Sequence, residues 1–416
     1  IFSNNIFENN DSETGNTFES IGYVGDIDFS SSVFDVFCSY YTDVSEYWVV
    51  EGEANSDFTG SSGELEAITD DVWISPDGVD ETITTGTDQD PFKTIDYAMS
   101  RIYVTASNGS TINLTGETFS PSTTGEEFPI IMISNVNLIG QGEEVTIIDA
   151  EQTSSVMVIY NQDNITISSI TFTGGKPEFN SLLGGITMYY SDITMTHVII
   201  RENGNEDVGE SCGLFMQSSN PTLIHVTVND NTAGGMVLLL SNPTITNLTV
   251  SGNIGTGIYM FYSSPTITYA TISDNGLDYE SDLFTYGGGI RMEDNSNMTL
   301  THATISDNSS YHGGGGISSY QSDTIILQDV IVSGHFVEGG TGFDHAGGGI
   351  KSTDTKLILA DVIVTGNSTS SSGGGISIIN STNADYFFKM NNVTISDNYS
   401  GGNGGGMDTN APIIMT

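Results

Sequence analysis

The stretch "ATISDNG", Ala270–Gly276, returns as "ATISDNS" at 303–309 and as "VTISDNY" at 393–399. One heptapeptide spelled three times marks a structural repeat, and the repeat decides the fold before any motif is read. With the Asn of ISDN as position zero, that position is held by Gly175, Asn203, Asn231, Asn253, Asn275, Asn308, His335, Asn367 and Asn398. The residues three, five and eight places earlier are apolar in every copy; for Asn275 they are Ile272, Ala270 and Ile267. The residues between them are mostly Thr, Ser, Asn, Asp or His. Alternation with a period of two predicts strands with one buried face. The repeat is shortest at 22 residues, from Asn231 to Asn253 to Asn275, and insertions lengthen it to 33 between Asn275 and Asn308. Copies stacked ~4.8 Å apart would satisfy each other's backbone groups. This predicts an all-β parallel β-helix solenoid.

A second marker follows each Asn: "GGI" at Gly184, "GGGI" at Gly287, Gly347 and Gly373, "GGGGI" at Gly313 and "GGGM" at Gly404. Glycine supplies positive φ or lets backbones approach at a corner. The apolar residue after it opens another strand, in a column running from Ile186 through Leu214, Met236, Ile258 and Ile290 to Met407. The Asn column reads as an internal ladder, each amide bonding to backbone or to the next Asn at a bend. His197, His225 and His302 share a column with Asn247, Tyr269, Asp329 and Asp361. That mixed polar occupancy predicts an outward face rather than a metal site.

The chain has 416 residues, and 53 Asp and Glu against 8 Lys and Arg leave a formal net charge of -45. Such a polyanion does not attract nucleic acid or an anionic membrane surface. No apolar run reaches the length of a membrane span. Cys38 and Cys212 make no disulfide framework, and Cys212 reads as a small core residue. The chain begins at Ile1 without a visible signal peptide, which predicts a mature form or a piece of something longer.

"WISPDG" (Trp73–Gly78) and "DPFKTIDYAM" (Asp90–Met99), together with the rungs, resemble right-handed parallel β-helix proteins of the pectin-lyase-like superfamily, secreted bacterial members included. The resemblance implies a right-handed coil closed by a short N-terminal helix. Asp90 is expected to cap that helix, with Pro91 at its first position and Phe92, Ile95, Met99 and Ile102 on its apolar side. The GGGI tracts and "FSNN" and "FENN" at Phe2 and Phe7 are similar to the repeats of polymorphic outer-membrane adhesins. Residues 1–57 resemble the closing coils of a preceding β-helix and form a small N-terminal β segment. Residues 58–72 form a linker, and 73–416 the main β-helix with a capping segment at 73–105.

The resemblance implies carbohydrate chemistry, in which lyases use a basic proton abstractor with calcium and hydrolases use paired carboxylates. Here Arg201, Arg291, Lys351, Lys356 and Lys389 fall on different rungs, and the Asp70-Asp71 pair is in the linker. The candidate catalytic group is His312, His335, Asp344 and His345, on neighbouring insertions. The candidate metal group is Asp274, Asp278, Glu280 and Asp282, hard oxygen ligands that suit calcium. No other cofactor is expected. Tyr189, Tyr190, Tyr259 and Tyr262 offer rings for stacking on sugars.

The ends carry the remaining expectation. "NAPIIMT" (410–416) matches 241–247 on the repeat template, and "IFSNN" (1–5) matches 249–253. Ile1, Phe2, Ile6 and Phe7 of one copy would then complete the coil that carries Ile413, Ile414 and Met415 of the next, head to tail. Regular rungs and scattered basic residues favour a secreted structural or adhesive surface protein, the unit of a filament or rod. The alternative is a polysaccharide-binding or polysaccharide-degrading β-helix, a lyase or glycoside hydrolase if an enzyme.

Overall fold

The computed structural model describes residues 68–415 except 82, 178–183, 206–210, 277–286, 340–344 and 382–385. Before residue 68 it describes the backbone of short strands only. The chain divides into two compact units: residues 1–115 with 134–138, and residues 116–133 with 139–416.

In the first unit, Ile6–Phe7 pairs in parallel with Val33–Phe34, which pairs with Ser62–Gly63. Ser20–Ile21 pairs with Val50–Glu51, and Asp26–Asp28 with Asn55–Asp57, all parallel. This segment therefore has coil-like pairings of its own. Further on, Val72–Ile74 pairs with Ser110–Leu114. The helix runs over Ile95–Arg101 and is capped by Thr94, whose hydroxyl accepts the Tyr97 N–H. Asp90 is not the cap: its carboxylate accepts the N–H and hydroxyl of Thr85 in the turn before the helix. Asp80 holds Thr94 instead, taking its hydroxyl at 2.7 Å. Phe92, Ile95, Met99 and Ile102 are buried as the apolar spacing requires.

The second unit is the stack of rungs. Nine long strands, from Thr166–Thr173 to Phe388–Ser396, and the short Ile413–Met415 pair in parallel, each with its copy one coil on. Register never slips along this stretch: Val250 faces Ile272, and Ile272 faces Ile305. Those three residues have no exposed surface, and neither do Ile258, Ile290, Ile317, Ile350 and Ile376 of the second column. The second column belongs to a sheet of eleven strands, from Ile130–Ile131 to Met407–Thr409. A third, of two-residue strands, links Ser309–Ser310, Phe336–Val337, Ser368–Thr369 and Tyr399–Ser400.

Each coil turns at residues in the left-handed region. One set interrupts the long strands: His197, His225, Asn247, Tyr269, His302, Asp329, Asp361 and Asn392, with φ between 52° and 59°. A second immediately precedes the Asn column, as Asp230, Asp274, Asp307 and Asp397 or as Gly252, Gly334 and Gly366. A third lies at the far corner and includes Tyr190, Ser218, Leu240, Tyr262, Gln321 and Asp354. Such φ values are uncommon for bulky residues and are held here by the ladders on either side.

Two ladders bind the corners. In the Asn ladder each Oδ1 accepts the backbone N–H of the preceding rung, from Asn203 on Asn231 at 3.0 Å to Asn367 on Asn398 at 2.9 Å, with the His335 ring taking the place of one amide. Each Nδ2 also donates to a carbonyl of the preceding coil, as Asn275 does to Val250 at 3.0 Å. The glycine tract is shaped by this ladder. A Cβ on Gly213 would lie 2.6 Å from Nδ2 of Asn231, so the residue before the second apolar column must be glycine. The other ladder is of serine: the N–H groups of Ser191, Ser219, Ser241 and Ser263 donate to the hydroxyls of Ser219, Ser241, Ser263 and Ser296 at 3.0–3.1 Å. All five serines are fully buried.

Candidate functional site

The bend in the long strands opens a groove on the outer face of the sheet, about 770 Å³ in volume. Left-handed backbone at the bend throws one side chain per coil outward, so the column is spaced by the coil repeat. His197 and His225 stack with ring centroids 4.7 Å apart, and Nε2 of His225 lies 3.2 Å from Nδ2 of Asn247. Tyr269 and His302 stack at 5.0 Å, and Nδ1 of His302 lies 2.6 Å from the Asp329 carboxylate. Thr227, Thr249, Thr271 and Thr304 add a parallel row of hydroxyls, and Glu143 lines the same groove. The site thus combines ring edges, hydroxyls and carboxylates on a rigid frame, and among the described residues no basic side chain other than histidine lines it. The sequence placed these residues outward in one column, and the structure agrees. The groove itself was not legible, because the bend depends on a left-handed residue that has no fixed identity.

The far corner presents a second surface. Tyr160, Tyr190, Leu240 and Tyr262 are exposed, and Tyr160 packs against both Tyr189 and Tyr190. Tyr259 is not one of the open rings. It is half-buried, its hydroxyl donates to Glu293 at 2.9 Å, and the Arg291 guanidinium lies 5.1 Å over its ring. Arg291 also pairs with Glu293 at 2.7 Å. Burial, then the Glu293 carboxylate, raise the Tyr259 phenol above its ordinary range. Cys212 is fully buried with Phe215 and Val237, and burial pushes its thiol up. Such a thiol packs as a small hydrophobe.

The candidate catalytic group is only partly brought together. The rings of His312 and His345 lie 4.9 Å apart, with Tyr311 beside His345 at 5.8 Å. His335 is fully buried in the Asn ladder, and Asp344 lies outside the described residues. Of the candidate calcium ligands, Asp274 sits at the corner before Asn275 with φ 56°. Asp278, Glu280 and Asp282 lie outside the described residues, as do Ile1 and Phe2. Among the described residues no three metal-ligating side chains converge. Ile6–Phe7 pairs within its own segment, and Ile413–Met415 pairs with Phe388–Met390 and leaves Ile414 exposed. No helix of the described residues is long and apolar enough to cross a membrane.

No curated protein matches the chain. Among solved structures it is similar to a pectate lyase, at 13% identity over 83% of this chain and 79% of that one, with a TM-score of 0.44. It is similar also to the A-module of a mannuronan C-5 epimerase from Azotobacter vinelandii, at 14% identity, 74% and 91% coverage, and a TM-score of 0.45. A pectin methylesterase from Erwinia chrysanthemi aligns at 10% identity over 62% of this chain and 90% of that one, with a TM-score of 0.34. The family model described as the right handed beta helix region matches residues 130–281 and 241–409. With the rungs from Thr166–Thr173 to Phe388–Ser396 lying inside those two stretches, the chain belongs to the right-handed parallel β-helix family.

Proposed function

We propose that the protein is a secreted, cell-surface adhesive element: a stiff β-helical frame that holds polysaccharide along the groove without turning it over. The observation that carries this reading is the stacked column of His197, His225, Asn247, Tyr269 and His302 beside a row of threonine hydroxyls. Ring edges and hydroxyls repeated once per coil match a ligand that is itself a polar repeat. Glu143, Asp329 and the net charge of -45 favour neutral or amino sugars over uronates. Extracellular placement belongs to the same proposal and draws its support from the acidic surface. The test is titration with neutral, amino and acidic polysaccharides, coupled to an assay for new chain ends. Saturable binding of a neutral or amino polymer, without new ends, supports the reading. Product release abolished by His302→Ala would replace it with an enzyme.

A further inference from the structure

His335 stands in the Asn ladder and reproduces most of what an asparagine does there. Its Nδ1 takes the Asn308 backbone N–H at 3.0 Å, where other rungs offer Oδ1. Its Nε2 meets the Ile305 carbonyl at 3.1 Å, where other rungs offer the Nδ2 donor. Its own backbone N–H donates to Oδ1 of Asn367 at 3.0 Å, so the ladder continues. Both ring contacts require one state, a neutral imidazole with its proton on Nε2. A proton on Nδ1 would put a donor against the Asn308 N–H inside a fully buried site; the new donor would have only the Asn308 carbonyl at 3.3 Å, and the Asn308 N–H would lose its acceptor, which is costly.

We propose that His335 is an acid-sensitive joint of the β-helix, whose protonation breaks the ladder between the Asn308 and Asn367 coils and opens the stack there. The surroundings offer an imidazolium no charge partner, only the Asn308 carbonyl at 3.3 Å from Nδ1. The preceding coil presents Asn308 and Ile305, the following coil Asn367, and the glycine tract Gly315 and Gly316. None of these is charged. Asp307 is the titratable residue nearest in the preceding coil, and its carboxylate packs against Gly334 at the corner. Desolvation is the main influence on the ring and is only partly offset by the backbone carbonyls of Asn308 and Ile305, which leaves its pKa pushed down to about 4. The exposed pair of His302 and Asp329 links the Asn308 coil to the His335 coil. That contact opposes opening, but a surface pair contributes little.

Hydrogen exchange on the full chain at about pH 7 and about pH 4.5, corrected for intrinsic rates, tests the joint. Peptides holding Asn308, His335 and Asn367 are expected to lose protection about tenfold or more on acidification, while those holding Asn231 and Asn253 are not. His335→Asn completes the asparagine ladder and should keep protection at both values. Uniform loss along the chain, no loss, or the same loss in His335→Asn overturns the proposal. NMR of ring-labelled histidine in the unaltered protein gives an independent reading. An Nε2–H tautomer at neutral pH that protonates together with loss of the Asn308 amide supports the joint. A ring that titrates while that amide stays protected refutes it.

Discussion

Asn253 gives both of its amide donors to one atom of Asn275: its backbone N–H reaches Oδ1 at 3.2 Å and its side-chain Nδ2 reaches the same oxygen at 2.8 Å. Both residues are fully buried, so no water replaces the acceptor if Asn275 is lost. Asn275→Ala orphans those two donors and the Val250 carbonyl that Nδ2 of Asn275 satisfies. At about 1–3 kcal/mol for each unsatisfied buried group, the expected loss is roughly 3 kcal/mol or more. Urea unfolding measures it, and a change under about 1 kcal/mol would mean that the ladder is not a stabilising element.

The apolar column gives a harsher test. Ile272 sits between Val250 and Ile305 with no exposed surface. Ile272→Asp places an unpaired carboxylate in that column and is expected to cost several kcal/mol, enough to unfold the central coils. A melting curve that barely moves would mean that this side chain does not face the core.

Two glycines separate contact from conformation. A Cβ on Gly213 would meet Nδ2 of Asn231 at 2.6 Å and Cγ1 of Val228 at 2.9 Å, so alanine there displaces the ladder. Gly366 has φ +67°, but a Cβ would meet nothing closer than a backbone nitrogen at 3.8 Å. Gly366→Ala is therefore expected to cost only the left-handed penalty, about 1–2 kcal/mol. Gly213→Ala should cost clearly more. Equal losses by thermal melting would assign the glycine tract to backbone freedom alone.

In the groove, Tyr269→Ala removes a ring that is 53% exposed and stacked on His302. Stability is expected to change by less than about 0.5 kcal/mol, as for other surface substitutions. Polysaccharide affinity is expected to fall about tenfold, the scale of one lost contact of about 1.4 kcal/mol. Unchanged affinity in a calorimetric titration would move the binding surface elsewhere, to the corner of Tyr160, Tyr190 and Tyr262.

What the sequence revealed follows from which positions admit few residues. Only Asn, Gly or His stands at position zero and only apolar residues at Ile272 and its equivalents, so the ladder, the register and the two sheets were readable. The serine ladder was not. Ser191, Ser219, Ser241, Ser263 and Ser296 look like solvent-facing turn residues until burial is known. Left-handed corners were equally silent, because His197, Tyr269 and Asp361 share a backbone conformation and no side-chain chemistry. Grouping His335 with His312 and His345 followed loop proximity, whereas its place in the repeat already put it in the ladder.

The pH dependence of stability follows from that place. The ring of His335 is held neutral in the native state, at about 4 against an ordinary value of 6.5, chiefly by burial. The unfolded chain then binds the proton more readily than the native one. The neutral ring's contribution is complete above about pH 6.5 and is lost as pH falls through about 4, a difference of roughly 3 kcal/mol. Acid also neutralises carboxylates and relieves the repulsion of a chain with net charge -45, which acts in the opposite direction. The useful quantity is therefore the stability of His335→Asn minus that of the unaltered protein, measured by urea unfolding from about pH 7 to about pH 4. Carboxylate effects common to both proteins cancel, and the difference is expected to rise in favour of His335→Asn by roughly 3 kcal/mol on acidification. A difference that stays flat would mean that the ring does not titrate differently in the folded chain.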